Sequence, residues 1–357
     1  MTAVAPAVAK AAMDSGIAQH HITDWDAYND RLKKLMGYDN KMLREFTEMA
    51  RKEPKRVVFA EANHANMLQA ASTAMKEGIC KPILLGNDEL IGKLAESIGV
   101  DLSGMQIINL RHPNEEDRRI RYAQLLTEKR QREGMMMVEA GEADAFITGT
   151  YSKYAETIQI AKEVIGIREG YKHFGAMHIM NTKCGTYFLA DTLINRKPTT
   201  ETLIDIAKLS YDSVRFFAKD PVIAMVSYSN FGSDNQGSPL RVHEAIKILH
   251  EQYPEIIIDG EMQMNFALNN KLRDKSYPFN KLKGREVNTI VFPNLSSANS
   301  AYKMMLEMGV AESIGPIQMG LNKPIHFTDI ASSTRDIVNL TTVAVLDAIV
   351  QERRNKQ

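Results

Sequence analysis

Short apolar runs and longer amphipathic stretches alternate along the first half of the chain. Runs rich in β-branched and aromatic residues predict four strands with their exit turns, at residues 56–62, 82–87, 107–110 and 143–149. Between them apolar residues recur at helical spacing, as in the segment 66–75 that ends before Gly78. This alternation is typical of a parallel sheet that helices cover on both faces.

The second half of the chain predicts a further sheet. Its expected strands are a hairpin at 178–180 and 185–191, followed by buried runs at 222–226 and 255–259. We therefore predict an α/β fold with two domains of parallel or mixed sheet flanked by helices. The first domain would comprise residues 39–176 together with the last helix in 330–357, and the second residues 177–329. Their strand-end loops would converge on a cleft between them.

The stretch 288–338 carries the densest set of turn and cap signals. Residues 289–292 predict a strand that Pro293 ends, and Ser297 or Asn299 is the expected cap of the next helix. The pair Gly315-Pro316 is expected to break the chain before a short strand at 317–319. Residues 320–324 then predict a loop, and 329–336 the opening of the last helix.

Composition excludes several classes of protein. The 357 residues are 44% hydrophobic and 25% charged, and 44 basic residues balance 44 acidic ones, so we expect no nucleic-acid partner. No apolar run reaches the length of a membrane span, so no membrane partner is expected either. The two cysteines, Cys80 and Cys184, fit reduced thiols in a cytoplasmic protein better than a disulfide or a metal site.

Several motifs in the last third of the chain resemble the phosphate acetyltransferase and phosphate butyryltransferase family. They are VFPNL at 291–295, the segment 299–303, IGPI at 314–317, GLNKP at 320–324 and the helix start at 336–338. The resemblance implies a phosphotransacetylase-like fold of the isocitrate and isopropylmalate dehydrogenase type. It also implies acetyl-CoA or CoA as the ligand, and phosphate as its co-substrate in active members.

The sequence departs from the family at the positions that the resemblance makes catalytic. Asp329 and Ile330 stand where active members have a Ser-Arg pair, while Asp336 keeps the acid of the third catalytic position. Gln159 replaces an arginine, and Asn230-Phe231 replace a Thr-Lys pair. Lost cations remove charge-assisted contacts to phosphate, and Asp329 would repel that anion.

The N-terminal segment carries a second resemblance. Residues 4–18, VAPAVAKAAMDSGIA, resemble the last helix of a bacterial malic enzyme domain, so residues 1–38 are interpreted as a helical remnant and linker. In one branch of the family an NADP-dependent malic enzyme domain is fused to a phosphotransacetylase-like domain. The resemblance therefore implies a covalently linked malic enzyme domain as partner, and that NADP and a divalent metal would belong to that domain.

Asp336 is the predicted catalytic position, and no metal site is predicted. The positions expected to line the acetyl-CoA and phosphate cleft are Thr150, Ser152, Tyr154, Gln159, Ser227, Ser229, Asn230, Phe231, Gly232, Asn299, Tyr302, Lys323, Asp329 and Ile330. Small hydroxyl residues and glycine in strand-end loops let backbone N–H groups approach an anion. Glu61, at the end of the first strand, fits a site residue and a helix-start acid equally well.

Three functional hypotheses follow. The first is a regulatory and oligomerisation module that binds acetyl-CoA without turnover and acts allosterically on the malic enzyme domain. The second is an active phosphate acetyltransferase, in which Asp336 acts as base and Lys323 replaces a lost arginine. The third is an assembly domain that binds no ligand; a homodimer or a higher homo-oligomer is expected in each case.

Overall fold

Five parallel strands form the first sheet of the protein. A computed structural model describes residues 4–18, 22, 25, 28, 41–125, 130–149, 154–217, 219–329 and 331–355. The strands of this sheet are β1 (Lys55–Phe59), β2 (Cys80–Leu85), β3 (Gln106–Ile108), β4 (Ala145–Thr148) and β11 (Ile325–Phe327). Their spatial order is β11-β4-β1-β2-β3. All neighbours are parallel, so the carboxyl ends of the five strands meet at one edge.

The second sheet is mixed. Its strands are β5 (Gly175–Thr182), β6 (Gly185–Ala190), β7 (Ile223–Val226), β8 (Ile258–Met262), β9 (Thr289–Val291) and β10 (Ala311–Met319). The order is β10-β5-β6-β9-β7-β8. β5 runs antiparallel to both β10 and β6, whereas β6, β9, β7 and β8 are parallel. The predicted α/β class with parallel and mixed sheets is confirmed.

Helices connect and cover the strands of both sheets. Up to the second sheet they are α1 (Val4–Asp14), α2 (Lys41–Lys52), α3 (Ala65–Lys76), α4 (Asp88–Ile98), α5 (Glu116–Leu125), α6 (Arg130–Glu139) and α7 (Tyr154–Val164). The later ones are α8 (Thr200–Phe216), α9 (Gly237–Gln252), α10 (Met264–Leu268), α11 (Asn270–Ser276), α12 (Leu295–Glu307) and α13 (Thr334–Asn355). No helix in the described ranges is long and apolar enough to cross a membrane.

Alternation of side chains along the central strands builds two faces. Val57 and Phe59 on β1 join a core with α3 and α13, whereas Val58 faces the other core, with Met135 of α6. The first of these cores continues into the second sheet through Met177 and other residues of β5. One apolar interior therefore connects both sheets, and α13 lies in its middle.

Three predictions about the stretch 288–338 are wrong. Gly315-Pro316 does not break the chain, because β10 runs through it with a bulge and pairs again with β5 from Ile317. Proline is tolerated there because β10 is an edge strand. The cap of α12 is Asn294, whose side chain accepts from Ser297 N, and neither Ser297 nor Asn299 fills that role. The last helix begins at Thr334, after the separate strand β11.

Elsewhere the strand predictions differ mainly in their limits. The strand expected at 255–259 is β8, which begins at Ile258 and continues to Met262. The helix predicted in the first 18 residues is confirmed as α1, which ends at Asp14 before Gly16.

Candidate functional site

The carboxyl ends of β1, β4 and β11 are tied into one polar edge. The buried carboxylate of Glu61 accepts a hydrogen bond from Thr148 Oγ1 at 2.7 Å and contacts Gly149 N at 3.3 Å. Thr328 N donates to Thr148 O at 2.7 Å, which joins the ends of β4 and β11. Gly149 has a φ of +128°, and a Cβ there would lie 2.4 Å from Thr328 O. Only glycine therefore fits this junction.

A second group of side chains connects that edge to the second sheet. Lys303 Nζ, on α12, lies 3.5 Å from Asp329 Oδ2, two residues beyond the end of β11. The same ammonium lies 5.4 Å from the centre of the Tyr302 ring, which stacks on the His178 ring at 4.1 Å. His178 Nδ1 is 2.8 Å from Thr192 Oγ1. We call these four residues, Asp329, Lys303, Tyr302 and His178, the bridging cluster.

Burial and neighbouring groups set the protonation states of His178, Tyr302 and Lys303. Burial, with a smaller contribution from the nearby ammonium of Lys303, lowers the pKa of His178 to about 3, so the imidazole is neutral. Burial also raises the pKa of the Tyr302 phenol. Burial opposes the charge on Lys303, but Tyr302 and Asp329 outweigh it and raise the pKa of the ammonium. The cluster thus holds one cation and one carboxylate that neutralise each other.

Asp336 forms a helix cap. Its Oδ2 accepts from Ser333 N at 2.9 Å and from Ser333 Oγ at 2.7 Å, while Asp336 N donates to Ser333 Oγ at 3.3 Å. This reciprocal pair is a capping box at the start of α13. Both acceptor contacts fall on Oδ2, and within the described ranges Oδ1 accepts no hydrogen bond and can face a ligand.

A cavity of about 280 Å³ adjoins Asp336, between α13 and the β5–β10 pair. Among its lining residues are Asn181, Ser313, Asp336 and Asn339. Asn181 is almost fully buried, and its Nδ2 has no hydrogen-bond partner among the described residues. An unpaired buried amide donor is costly unless a water or a ligand accepts from it.

Glu261 of β8 accepts hydrogen bonds from the loop that follows β7. The buried carboxylate of Glu261 accepts from Gly232 N at 2.5 Å and contacts Ser229 Oγ at 3.2 Å. Asn230 Oδ1 accepts from Gln263 N at 2.8 Å, and the Phe231 ring packs on Tyr277 at 4.8 Å. Four of the predicted ligand positions therefore already have partners inside the protein. Ser227 differs from them, because its buried Oγ has no partner in the described part of the chain.

The other predicted positions are spread over the molecule. Asn299 hydrogen-bonds Tyr302 and so belongs beside the bridging cluster. Gln159 lies on the exposed face of α7, where its Nε2 donates to Glu163. Lys323 precedes β11 whereas Asp329 follows it, so the structure places Lys323 at the opposite edge of the sheet. There it lines a small pocket with Arg168 and Asp347.

Some predicted positions lie outside the described residues. Thr150, Ser152 and Ile330 are among them, and Tyr154 is described only as the first residue of α7, without its side chain. Within the described ranges no group of three or more His, Cys, Asp or Glu side chains could hold a metal ion.

Sequence reasoning missed Lys303, His178 and Thr148. His178 sits in an apolar hairpin strand, where nothing in the local pattern distinguishes a stacked imidazole from a core residue. Lys303 does follow Tyr302 within a segment that resembles the family, and this neighbour was the available signal. Glu61, left open between two roles, proves to be the acceptor that organises the edge of the first sheet.

A family model decides the classification. The model for phosphate acetyl/butaryl transferases matches residues 41–345, which is most of the chain. The chain belongs to the phosphate acetyl/butyryl transferase family. Members of known structure share this fold: a phosphotransacetylase from Streptococcus pyogenes has a TM-score of 0.77 at 29% identity, covering 86% of this chain and 99% of its own.

The curated relatives of this chain are of two kinds. An NADP-dependent malic enzyme of Salmonella typhimurium is 36% identical over 368 residues, 97% of this chain and 48% of the relative. A phosphate acetyltransferase of Bacillus subtilis is 29% identical over 310 residues, 82% of this chain and 95% of the relative. The chain thus spans about half the length of the malic enzymes that it matches, and it aligns with them over nearly its whole length.

Proposed function

We propose that this family member is the acetyl-CoA-sensing module of an NADP-dependent malic enzyme polypeptide, and that it binds acetyl-CoA without transferring the acetyl group. Malate oxidation, NADP and the divalent metal would belong to a linked malic enzyme domain. The alignment with malic enzymes over 97% of the chain supports the link. The module would report acyl-CoA binding to that domain and join subunits into a homodimer or larger assembly.

The Asp329–Lys303 ion pair is the observation that carries the proposal. Where the family resemblance implies a hydroxyl and a cation, this chain has a carboxylate, and that carboxylate takes up the cation of the bridging cluster. Transfer to phosphate requires an uncompensated positive field for two anions, the phosphate and the developing oxyanion. In a cluster with no net charge, Lys303 can exchange Asp329 for one anionic ligand. The same cluster stabilises poorly a transition state that carries two anions.

The cavity beside Asp336 supports ligand binding. The unpaired Nδ2 of Asn181 can donate to a carbonyl oxygen, and the thioester and the pantetheine amides of acetyl-CoA each supply one. Asp336 itself has a structural function in the capping box, which explains its presence in a chain without turnover.

The deciding experiment measures two properties of one sample. Formation of acetyl-CoA from acetyl phosphate and CoA reports turnover, and calorimetry with acetyl-CoA reports binding. We expect binding without turnover, and we expect Lys303→Gln to weaken binding about tenfold through loss of a charge-assisted contact. Lys283→Gln, which removes an exposed lysine elsewhere on the second half of the chain, is the matched control and should bind as the wild type does.

The alternatives give different results. Turnover by the wild type would support the second hypothesis, an active phosphate acetyltransferase, and would contradict the proposal. If the sample shows no binding and no turnover, the third hypothesis, an assembly domain, is supported. The double variant Asp329→Ser with Ile330→Arg restores the residue types of active members, and a gain of turnover in this variant alone would show that these two positions silence the site.

A further inference from the structure

A broad basin lies at the carboxyl edge of the second sheet, apart from the bridging cluster. Its volume is about 770 Å³. The lining residues come from the connection between β6 and α8, from α9, and from the start of α12; they are Arg196, Lys197, Pro198, Thr199, Thr200, Arg241, Asn294 and Ser296. None of these residues is acidic, and three are cations.

The three cations of the basin have no carboxylate partner in the described part of the chain. Among the residues that the structure describes, Arg196, Lys197 and Arg241 make no ion pair with a carboxylate. Arg241 Nη1 donates to Gly237 O, but its buried Nε has no hydrogen-bond partner in the described ranges. The carboxylate at the rim, Glu244, accepts from Thr200 Oγ1 at 3.0 Å. The basin is therefore positively charged, and Arg241 Nε can donate a hydrogen bond to an anion from solvent.

Two helices add to the positive field. Thr199 caps α8, which has 17 residues, and Asn294 caps α12, which has 13 residues. The N-terminal ends of long helices carry a partial positive charge and free N–H groups. Both ends line the same basin, so the backbone and the three side chains act on a ligand in the same direction.

We propose that this basin binds a diphosphate group, as found in nucleoside diphosphates and in CoA. Three cations from two separate elements match a ligand with two or more negative charges, and arginine binds phosphate oxygens in a bidentate manner. The basin is also far larger than one inorganic phosphate needs. The basin shares no lining residue with the bridging cluster or with the cavity beside Asp336, on which the proposed binding of the acetyl end of acetyl-CoA rests.

The geometry leaves two sources for the diphosphate. Lys303 follows Asn294 by nine residues on α12, which corresponds to about 13 Å along the helix axis. The ADP end of a CoA molecule whose thioester lies near the bridging cluster can span such a distance. A free nucleotide in the basin is the other source. Binding of inorganic pyrophosphate tests the shared chemistry without an acyl group, so this test does not depend on the proposed function.

The experiment titrates inorganic pyrophosphate, ADP and CoA separately into the full chain by calorimetry at low ionic strength. The double variant Arg196→Gln with Lys197→Gln removes two exposed charges and should fold normally. We expect it to weaken pyrophosphate and ADP about a hundredfold, because each of the two lost charge-assisted contacts contributes roughly a factor of ten. Arg241→Gln should weaken them about tenfold, and Lys283→Gln is the control with the same change in net charge as this single variant.

Each outcome decides between these readings. Loss of affinity for pyrophosphate, ADP and CoA together would support the basin and identify the CoA diphosphate as its occupant. Loss for pyrophosphate and ADP alone would support a separate nucleotide site. No binding of pyrophosphate by the wild type at millimolar concentration would overturn the proposal. Equal affinities of wild type and both basin variants would overturn it too, even if acetyl-CoA binds elsewhere.

Discussion

The two sheets end in loops of different kinds at their carboxyl edges. In the second sheet, the carboxylate of Asp191 follows β6 and accepts hydrogen bonds from four backbone N–H groups and from the side chain of Asn195. In the first sheet, the carboxylate of Asp329 follows β11 and is 43% exposed, and its charged partner is the half-exposed Lys303. One carboxylate is enclosed by the fold, and the other faces a place that a ligand can reach.

This difference separates structural from ligand-facing acids. A carboxylate whose oxygens are saturated by backbone donors holds a turn in place and has no capacity left for chemistry. The Asp329 carboxylate accepts from one backbone N–H, that of Ala331, and its charged partner is one long, half-exposed side chain, so the ion pair contributes little to stability and Asp329 can exchange that partner. Of the four predictions below, given from the largest expected effect on stability to the smallest, the first and the last test this distinction, and the other two test the rigidity of the first edge and the burial of the bridging cluster.

Asp191→Ala should cause the largest loss of stability. Its removal leaves the N–H groups of Ala176, Leu193, Ile194 and Asn195 without their acceptor in a buried turn. We expect the free energy of unfolding in urea to fall by about 4 kcal/mol. Asp191→Asn keeps the oxygen that serves three of these donors and should lose about half as much. Equal stability of Asp191→Ala and the wild type would contradict a structural role.

Gly149→Ala tests the rigid edge of the first sheet. The new Cβ would lie 2.4 Å from Thr328 O at a φ of +128°, so the ends of β4 and β11 must separate. We expect a loss of about 3 kcal/mol in thermal or urea unfolding. Gly141→Ala is the control, because Gly141 also has a positive φ but nothing lies within 4 Å of its added Cβ. That variant should lose only about 1 kcal/mol.

His178 should make stability depend on pH. Its pKa is about 3 in the folded protein, below its ordinary value of 6.5, so below about pH 6.5 the unfolded chain binds a proton that the folded chain does not. Its contribution is therefore complete above pH 6.5 and is lost as the pH falls toward 3, at about 1.4 kcal/mol per pH unit. Urea unfolding at about pH 7 and about pH 5 should show a drop for the wild type that is roughly 2 kcal/mol larger than for His178→Phe. Equal drops would mean that His178 is charged in the folded protein.

Asp329→Asn should change stability least and ligand affinity most visibly. The ion pair joins side chains that are 52% and 43% exposed, so its loss should cost less than about 0.5 kcal/mol. The same change frees Lys303 for an anionic ligand, and we expect acetyl-CoA to bind about threefold to tenfold tighter in calorimetry. Weaker binding would show that Asp329 contacts the ligand directly.

The fold could be predicted largely from periodicity. Runs such as 56–62 and 143–149 alternate with helical stretches, and only a parallel sheet satisfies both. β11 escaped this reasoning because it has three residues and one of them, His326, is polar yet fully buried. The cap of α12 was misplaced because three other residues that favour helix caps follow Asn294 within five positions.

The candidate site was less accessible from the sequence. Asp329 and Tyr302 are far from His178 along the chain, and only the packing of α12 against β5 and β10 brings them together. Small polar residues after β7 indicated a phosphate loop, but the donors of Ser229 and Gly232 are already used by Glu261, which lies on the neighbouring strand. A local motif does not show which of its donors the fold itself has taken.

The order of the strands has a consequence for synthesis. β11 completes the first sheet and α13 covers it, yet both follow all six strands of the second sheet in the chain. During synthesis on the ribosome, the apolar face of β1 and β4 therefore stays partly exposed until residues 325–355 have been translated. The second sheet has all its strands before that point. We therefore expect the second sheet to be completed before the first, the reverse of the usual N-terminal-first order, and we expect residues 41–149 to need chaperones more than the second sheet does.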